Sequence, residues 1–145
     1  RDYAHTNIEF EYVPASDNII ILGDEIVLKE ALRNVIDNAV AHGTSDRSTT
    51  YGIIRISLET CNLDCRVCIE DNGQGIPENQ RMHALERFVK VGTNTQGSGL
   101  GLAIAQSAAL SHHGDLILSE SELGGLAVSF SLPRLTETLH ASFNH

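Results

Sequence analysis

Segments with a two-residue apolar period alternate along this chain with segments of helical period, and this alternation limits the fold more than any single motif does. The stretch NIEFEYV places apolar side chains at Ile8, Phe10 and Tyr12, and the run IIIL at 19–22 is short and continuous, so we predict a strand in each. Strands interleaved with helices, without internal repeats or low-complexity linkers, predict one mixed α/β unit.

The clearest helix lies in GDEIVLKEALRNVIDNAVAHG, residues 23–43. Asp24 is suited to the N-cap, and Gly43 is suited to end the helix. The apolar residues at helical spacing are Leu28, Ala31, Leu32, Val35, Ile36 and Ala39. We therefore predict a long helix with one buried stripe.

The rest of the chain continues the alternation. GIIRISLE and CRVCIED predict two strands that turn at CNLD, whereas the glycine-rich stretch 72–101 predicts irregular backbone. LAIAQSAALSHHG predicts a helix ended by Gly114, and DLILSES and LAVSFSLP predict the last two strands. No period is visible after Pro133, so we expect one domain over 1–133 and a mobile tail over 134–145.

Length and charge argue against several classes of function. A chain of 145 residues with 41% hydrophobic content fits one domain with one core. The net charge of -9 argues against binding to nucleic acid or to anionic membranes, which requires clustered positive charge. No apolar run approaches the about 20 residues that span a bilayer, so we expect no membrane contact by this chain. The chain begins without Met, and we expect it to be part of a longer protein.

Three thiols precede an acidic, glycine-containing segment in CNLDCRVCIEDNGQGIP, residues 61–77. Cys65 and Cys68 are three residues apart on a predicted strand, so their side chains point to opposite faces and their Cα atoms lie about 10 Å apart. This geometry argues against an iron–sulfur cluster, and we predict strand and turn thiols with Cys65 facing the core. An odd number of cysteines in a chain of this size favours a reducing compartment over a disulfide framework.

The second half of that segment favours a nucleotide site. Asp71 ends a predicted strand, and its carboxylate could accept a hydrogen bond from an exocyclic amine beside the tight NGQG turn. In GSGLGLAIA, residues 97–105, alternating glycines open a helix whose free N–H groups suit phosphate. Taken singly, the first segment is also typical of an Asn-Gly turn with a solvated acid, and the second of a flexible lead-in to a helix.

Polar residues also recur every four positions along the long helix, at Asn34, Asn38 and His42. Asn is a poor residue for a helix interior, so two of them beside a core suggest a role such as ligating a hard cation through a side-chain oxygen. The alternative is that each Asn bonds to neighbouring loops and that His42 is a satisfied residue near the helix end.

In their order along the chain, these elements resemble the ATP-binding domain of sensor histidine kinases, in the superfamily that includes gyrase B and the mismatch-repair ATPases. NVIDNAVAH resembles the family's N box, DNGQGIP its G1 box, ERFVKV its F box and GSGLGLAIA its G2 box. The resemblance runs from about Asp24 to Pro133. It implies a Bergerat-type α/β two-layer sandwich, with a mixed β-sheet under about three helices and residues 76–98 as a flexible lid over ATP.

The resemblance also implies roles for particular residues. Asn38 would ligate Mg²⁺, Asn34 would support it, and both would act in catalysis together with Lys90. Asp71 would accept the adenine amino group. The full set of nucleotide-binding residues implied by the resemblance is Asn38, His42, Asp71, Gly73, Gly75, Ile76, Lys90, Gly97, Ser98, Gly99, Leu100, Gly101 and Leu102.

Two positions depart from the family pattern, and the resemblance implies that the phosphate-accepting histidine lies outside this chain. Ala41 stands where many members have Lys or Arg, and Ala127 stands where a Thr often helps to hold the adenine. None of the seven histidines has the sequence context of a phosphate acceptor. The expected partners are therefore a histidine-bearing helical dimerisation domain outside this chain and a response regulator.

The implied setting is the cytoplasmic side of a bacterial inner membrane that anchors the full-length protein, with the isolated domain monomeric. Two alternatives stay open at this stage. One is an anti-sigma factor serine kinase of the same superfamily, which would place Glu as general base where this chain has Asn34. The other is a nucleotide-binding module without kinase activity.

Overall fold

A computed structural model describes residues 8–16, 18–42, 52–85 and 100–135 of the chain. In chain order the elements are β1 (Ile8–Val13), α1 (Glu25–His42), β2 (Gly52–Cys61), β3 (Asp64–Asp71), a 3₁₀ turn (Glu78–Gln80), α2 (Arg81–Leu85), α3 (Leu100–Ser111), β4 (Asp115–Glu120) and β5 (Leu126–Pro133). The predicted strands at 8–13, 52–61, 64–71, 115–120 and 126–133 are confirmed, and so are the two long helices.

The strands form one mixed sheet in the order β1-β2-β3-β5-β4. β1 runs parallel to β2, across the connection that contains α1, and the other pairs are antiparallel. Ile56, Ile69 and Val128 stand in register across three neighbouring strands, on the face that carries the core. Since α1 and α3 contribute to that same core, the predicted α/β two-layer sandwich is confirmed.

Helix α1 begins where its sequence predicts. The Asp24 side chain accepts hydrogen bonds at Oδ1 from the N–H groups of Ile26 and Val27, at 3.0 and 3.2 Å. These N–H groups lie in the first turn and have no acceptor within the helix, so the carboxylate is an N-cap. One turn apart, Ala31, Val35 and Ala39 form the buried stripe, which faces α3 and the sheet.

Helix α3 is rich in alanine, and its small side chains let it pack closely against α1 and the sheet. It ends at Ser111, where the left-handed residue is His113 (φ 66°) rather than Gly114. The glycine serves a different purpose, because a Cβ on Gly114 would lie 1.9 Å from the carbonyl oxygen of Ser131 in β5. The imidazole Nε2 of His112 accepts the Asp24 N–H at 2.9 Å, which ties the end of α3 to the start of α1.

Two predictions of local structure were wrong. Residues 19–22 form no strand, because β1 pairs directly with β2 and residues 18–23 are used to reach α1. The stretch 72–101 was predicted to be irregular throughout, yet residues 78–85 form the 3₁₀ turn and α2. Ala84 of α2 is buried in the core. The local glycine content on which the prediction was based gives no information about this tertiary contact.

Backbone hydrogen bonds to the rest of the domain continue beyond the end of β5. Arg134 N–H donates to the Leu63 carbonyl at 2.8 Å, and Leu135 N–H donates to the Ile20 carbonyl at 2.6 Å. The first two residues of the predicted tail therefore contact the domain, while 136–145 lie outside the described residues, as does Gly43. Within the described ranges, no helix is long and apolar enough to cross a membrane.

Replacing Asp24 by Ala should lower the free energy of unfolding by about 1 kcal/mol, because two N–H groups of α1 lose their acceptor. Urea denaturation followed by far-ultraviolet circular dichroism measures the change. Asp24→Asn keeps a side-chain oxygen and should recover most of the loss. Glu30→Ala, an exposed change on the same helix, is the control. Equal stability of Asp24→Ala and wild type would contradict the N-cap role.

Candidate functional site

Asp71 lies at the end of β3, the central strand of the sheet, as the sequence predicts. Its side chain faces the helices and is only 4% exposed. Oδ1 accepts hydrogen bonds from the N–H groups of Gly73 at 2.9 Å and Leu126 at 3.2 Å. A buried carboxylate is stable only where such donors replace water, so these bonds also fix the direction in which the carboxylate points.

The turn between β4 and β5 packs directly on this carboxylate. Gly125 donates its N–H to the Asp71 carbonyl at 3.1 Å. A Cβ on Gly125 would lie 2.0 Å from Asp71 Oδ1 and 2.6 Å from the Gly73 nitrogen, so no side chain fits there. Sequence reasoning missed Gly125, although the Gly-Gly pair at 124–125 between two predicted strands was a visible signal.

The glycine turn after Asp71 is also built against this hairpin. Gly75 has a positive φ of 75°, and a Cβ on it would lie 3.2 Å from the Gly125 carbonyl carbon and oxygen. Gly75 was expected among the nucleotide-binding residues, and the structure adds a requirement for left-handed backbone and close packing there. The next residue, Ile76, packs against the core, and its carbonyl accepts the Arg81 Nε–H at 3.0 Å.

Asn72, between Asp71 and the turn, has a structural role that the sequence did not reveal. Its Oδ1 accepts the N–H of Ile53 at 2.8 Å, near the start of β2. The Asp-Asn-Gly segment is therefore bonded to both neighbouring strands of β3, through Asp71 to β5 and through Asn72 to β2. A turn held at both sides presents a rigid wall to a ligand.

A second group of predicted residues meets where α1 crosses α3. A Cβ on Gly101 would lie 3.4 Å from the Asn34 Cβ and 3.6 Å from the Asn34 Oδ1, so the first turn of α3 is seated against Asn34. Asn38 lies one turn further along α1 and is half-buried. The structure thus brings the predicted N box and the described part of the G2 box together.

The other predicted site residues fall into two groups. Leu102 is 1% exposed in the core, so only its backbone N–H is available to a phosphate, and Leu100 begins α3. His42 ends α1, but its side chain lies outside the described part of the structure. The remaining predicted positions also lie outside the described residues: Lys90, Gly97, Ser98 and Gly99.

The strand register corrects one expectation about the site. Ala127 pairs with Glu70, so both lie on the sheet face opposite to Asp71. A hydroxyl at position 127 would therefore point away from the Asp71 carboxylate. Ala127 therefore does not lie beside the Asp71 carboxylate on the core face of the sheet.

The thiols are placed as predicted. Cys65 is buried on the core side, and Cys68 lies on the other face, where Ser129 Oγ contacts its Sγ at 3.5 Å. Burial raises the pKa of the Cys65 thiol, assisted by the Asp64 carboxylate, and burial also raises the pKa of Cys68. Both therefore remain thiols at neutral pH. Among the described residues, no group of three or more His, Cys, Asp or Glu side chains converges to hold a metal.

Comparison with known proteins places these features in a family. Residues 23–136 match the family model described as histidine kinase-, DNA gyrase B- and HSP90-like ATPase. The phosphate regulon sensor protein PhoR of Haemophilus influenzae is 38% identical over 136 residues, which cover 91% of this chain and 30% of PhoR. The sensor-type histidine kinase PrrB of Mycobacterium tuberculosis is 35% identical over 130 residues, 89% of this chain and 28% of PrrB. The chain thus spans less than a third of these relatives.

Solved structures agree with the fold. The ATP-binding domain of PrrB from Mycobacterium tuberculosis superposes with a TM-score of 0.72 at 30% identity, over 91% of this chain and 84% of that domain. The mycobacterial sensor histidine kinase MprB gives a TM-score of 0.73 at 31% identity, over 88% and 84% of the two chains. Full-length ShkA in complex with AMPPNP gives 0.70 at 29% identity, over 88% of this chain and 26% of ShkA.

Gly125→Ala should destabilise the domain by about 1 to 3 kcal/mol, because the added methyl group must displace either the Asp71 carboxylate or the β4–β5 turn. Chemical denaturation measures the loss. Glu122→Ala changes an exposed side chain of the same turn and should leave the free energy of unfolding within about 0.5 kcal/mol of wild type. A Gly125→Ala variant as stable as that control would show that the turn does not pack on Asp71.

Proposed function

We propose that this chain, which belongs to the histidine kinase-, DNA gyrase B- and HSP90-like ATPase family, is the catalytic and ATP-binding domain of a two-component sensor histidine kinase. The observation that carries the proposal is the buried Asp71 carboxylate, held at the end of the central strand by backbone N–H groups. The similarity to PhoR, PrrB and MprB along most of this chain supports the same assignment.

The carboxylate of Asp71 suits adenine in particular. An ionised carboxylate only accepts hydrogen bonds, so it matches the exocyclic amine of adenine and opposes the carbonyl oxygen that guanine carries at that position. Gly73 and Gly75 keep the adjacent wall free of side chains, and Ile76 provides apolar surface beside it. The site therefore offers adenine a fixed acceptor in a largely apolar setting.

The crossing of α1 and α3 suits the phosphates and their cation. The first N–H groups of α3 have no acceptor inside the helix, and the helix dipole favours negative charge there. Asn38 and Asn34 supply side-chain amide oxygens on the facing helix, and Mg²⁺ bound to phosphates needs only one or two ligands from protein. We assign the Mg²⁺ ligand to Asn38 and the support of that ligand to Asn34.

The reaction we propose is transfer of the γ-phosphoryl group of Mg²⁺ATP to a histidine of a helical dimerisation domain outside this chain. Phosphoryl transfer depends chiefly on positioning and charge neutralisation, which the bound cation supplies. A neutral imidazole attacks through a lone pair, so Asn34 is sufficient where a serine hydroxyl would need a carboxylate base. Lys90 is assigned to the terminal phosphates on its sequence position alone.

The proposed setting follows from the same family. The acceptor domain passes the phosphoryl group to a response regulator, and the full-length protein is anchored in a bacterial inner membrane with this domain on the cytoplasmic side. The chain spans 30% of PhoR and 28% of PrrB, which leaves room in proteins of that length for the sensing and acceptor parts.

Asp71→Asn should weaken ATP binding by about 1.5 to 3 kcal/mol, since a charge-assisted hydrogen bond is lost. The amide oxygen can still accept the Gly73 and Leu126 N–H groups, so the fold should persist and GTP binding should rise. Titration calorimetry in the presence of Mg²⁺ measures both affinities. Asp64→Asn, at the exposed opposite end of β3, is the control. Unchanged ATP affinity in Asp71→Asn would remove Asp71 from the site.

The proposed activity is tested by incubating this chain and radiolabelled Mg²⁺ATP with the separately purified dimerisation domain of the same full-length protein. We expect slow labelling of that domain, increasing with its concentration because no tether supplies a high local concentration. Asn38→Ala should abolish labelling while keeping its melting temperature. Asn18→Ala makes the same chemical change at an exposed loop position and should label normally.

Two results would contradict this assignment. Phosphohistidine is acid-labile, so acid-stable label on the acceptor would indicate a serine kinase of the same superfamily. An Asn38→Ala variant that loses thermal stability but retains its rate per folded molecule would make Asn38 a structural residue and remove the metal assignment.

A further inference from the structure

The turn between β4 and β5, residues 121–125, holds the end of β3 from both faces of the sheet. Glu70 and Asp71 are consecutive residues of β3, so their side chains point to opposite faces. Each carboxylate accepts hydrogen bonds from the hairpin that contains this turn. The first residues of the turn bond to Glu70, and its last residue and the start of β5 bond to Asp71.

On the outer face, Ser121 is the key contact. It is only 4% exposed, and its Oγ donates to Glu70 Oε1 at 2.9 Å. The same Oε1 accepts the Glu122 N–H at 3.3 Å, while Ser121 Oγ accepts the Leu123 N–H at 2.9 Å. A single hydroxyl thus links the carboxylate of β3 to the backbone of the turn.

Backbone hydrogen bonds connect Ser121 to the other end of the turn. Ser121 N–H donates to the Gly125 carbonyl at 2.8 Å, and Gly124 N–H donates to the Ser121 carbonyl at 3.0 Å. Gly125 N–H in turn donates to the Asp71 carbonyl. The position of Ser121 therefore helps to set where Gly125 and Leu126 lie, and Leu126 N–H donates to Asp71 Oδ1.

A positively charged side chain stands next to Glu70 on the outer face. Arg55 stands opposite Glu70 in the β2–β3 register, and its Nε donates to Glu11 Oε1 at 2.9 Å. The hydrogen bond to Glu11 raises the pKa of Arg55, and the charges of Glu11, Glu70 and Glu122 add to that rise. Arg55 therefore places a permanent positive charge among these carboxylates.

We infer that Glu70 and Ser121 are positioning residues for adenine recognition: through the β4–β5 turn they set the orientation of the Asp71 carboxylate from the opposite face of the sheet. This inference rests on the proposed function, in which Asp71 accepts the adenine amine. Neither residue touches the nucleotide in this scheme. Their loss should therefore weaken the part of binding that depends on the amine and leave the part that depends on phosphate.

The test compares two nucleotides that differ only at the amine. ATP and purine riboside 5′-triphosphate, which carries hydrogen in place of the amino group, are titrated with Mg²⁺ into the full 145-residue chain. The ratio of the two dissociation constants reports the contribution of the amine. A purely structural role of Ser121 or Glu70 would change both constants equally and leave the ratio unchanged.

Ser121→Ala should lower the preference for ATP by about threefold to tenfold, the effect of one misplaced hydrogen bond, while binding of purine riboside triphosphate stays within twofold. Glu70→Ala should behave in the same way. The double variant should be no worse than either single one, because both changes break the same contact. Glu70→Gln retains an oxygen acceptor and should keep most of the preference. Ser119→Ala on β4 and Glu59→Ala on β2, which both change exposed side chains of the same sheet, are the controls.

The possible outcomes distinguish a failure of the proposed adenine site from a failure of the positioning inference. If Asp71→Asn leaves the ratio unchanged, the amine does not bind Asp71 and the proposed adenine site is wrong. If Asp71→Asn abolishes the preference but Ser121→Ala and Glu70→Ala keep it, the adenine site stands and the positioning inference is overturned. Should Ser121→Ala fail to fold, the comparison of Glu70→Ala with Glu70→Gln decides the question, since Glu70 lies on the half-exposed face.

Discussion

The buried carboxylate of Asp71 is the interaction on which the arrangement of the site depends. Its Oδ1 accepts two backbone N–H groups, one from the turn that follows β3 and one from the start of β5. Because a buried carboxylate without donors is strongly unfavourable, both segments must approach it closely. This need accounts for Gly125, where any Cβ would meet the carboxylate, and for the left-handed Gly75 packed beside it. The acid that we assign to adenine is thus also a structural centre of the domain.

The helix pair forms the second half of the site by a different principle. Buried alanines along α3 let it pack closely against α1, and the close approach at Gly101 and Asn34 follows from the small size of a glycine. The Asp24 side chain caps the start of α1, and the Asp24 N–H donates to His112 after the end of α3. This second bond holds the two helices together at a distance from their crossing. The base recognition that we propose is therefore built on strand ends, whereas the phosphate and cation roles that we propose are built on a helix crossing.

Some residues of this domain contribute both to its stability and to the proposed ligand contact, and this affects how substitutions of them are interpreted. A change at Asp71 or Gly125 alters both packing and the proposed ligand contact, so a loss of function there does not by itself identify a binding residue. Isosteric changes such as Asp71→Asn separate the two effects, because the amide oxygen can keep the backbone bonds. Gly114 illustrates the purely structural case, since its lack of a side chain serves only the contact between α3 and β5.

The sequence by itself determined the α/β class, five strands, two long helices, and the identity of Asp71, Asn34, Asn38 and the glycine segments as site candidates. These features follow from the local spacing of apolar residues and from the order of motifs along the chain, and both can be recognised without knowing the tertiary contacts. Only the tertiary structure decided that residues 19–22 form no strand, that Ala127 faces away from Asp71, and that Ser121, Glu70 and Gly125 support that carboxylate. The reason is physical: strand register and the approach of β5 to β3 join residues about 50 positions apart, so no local pattern contains them.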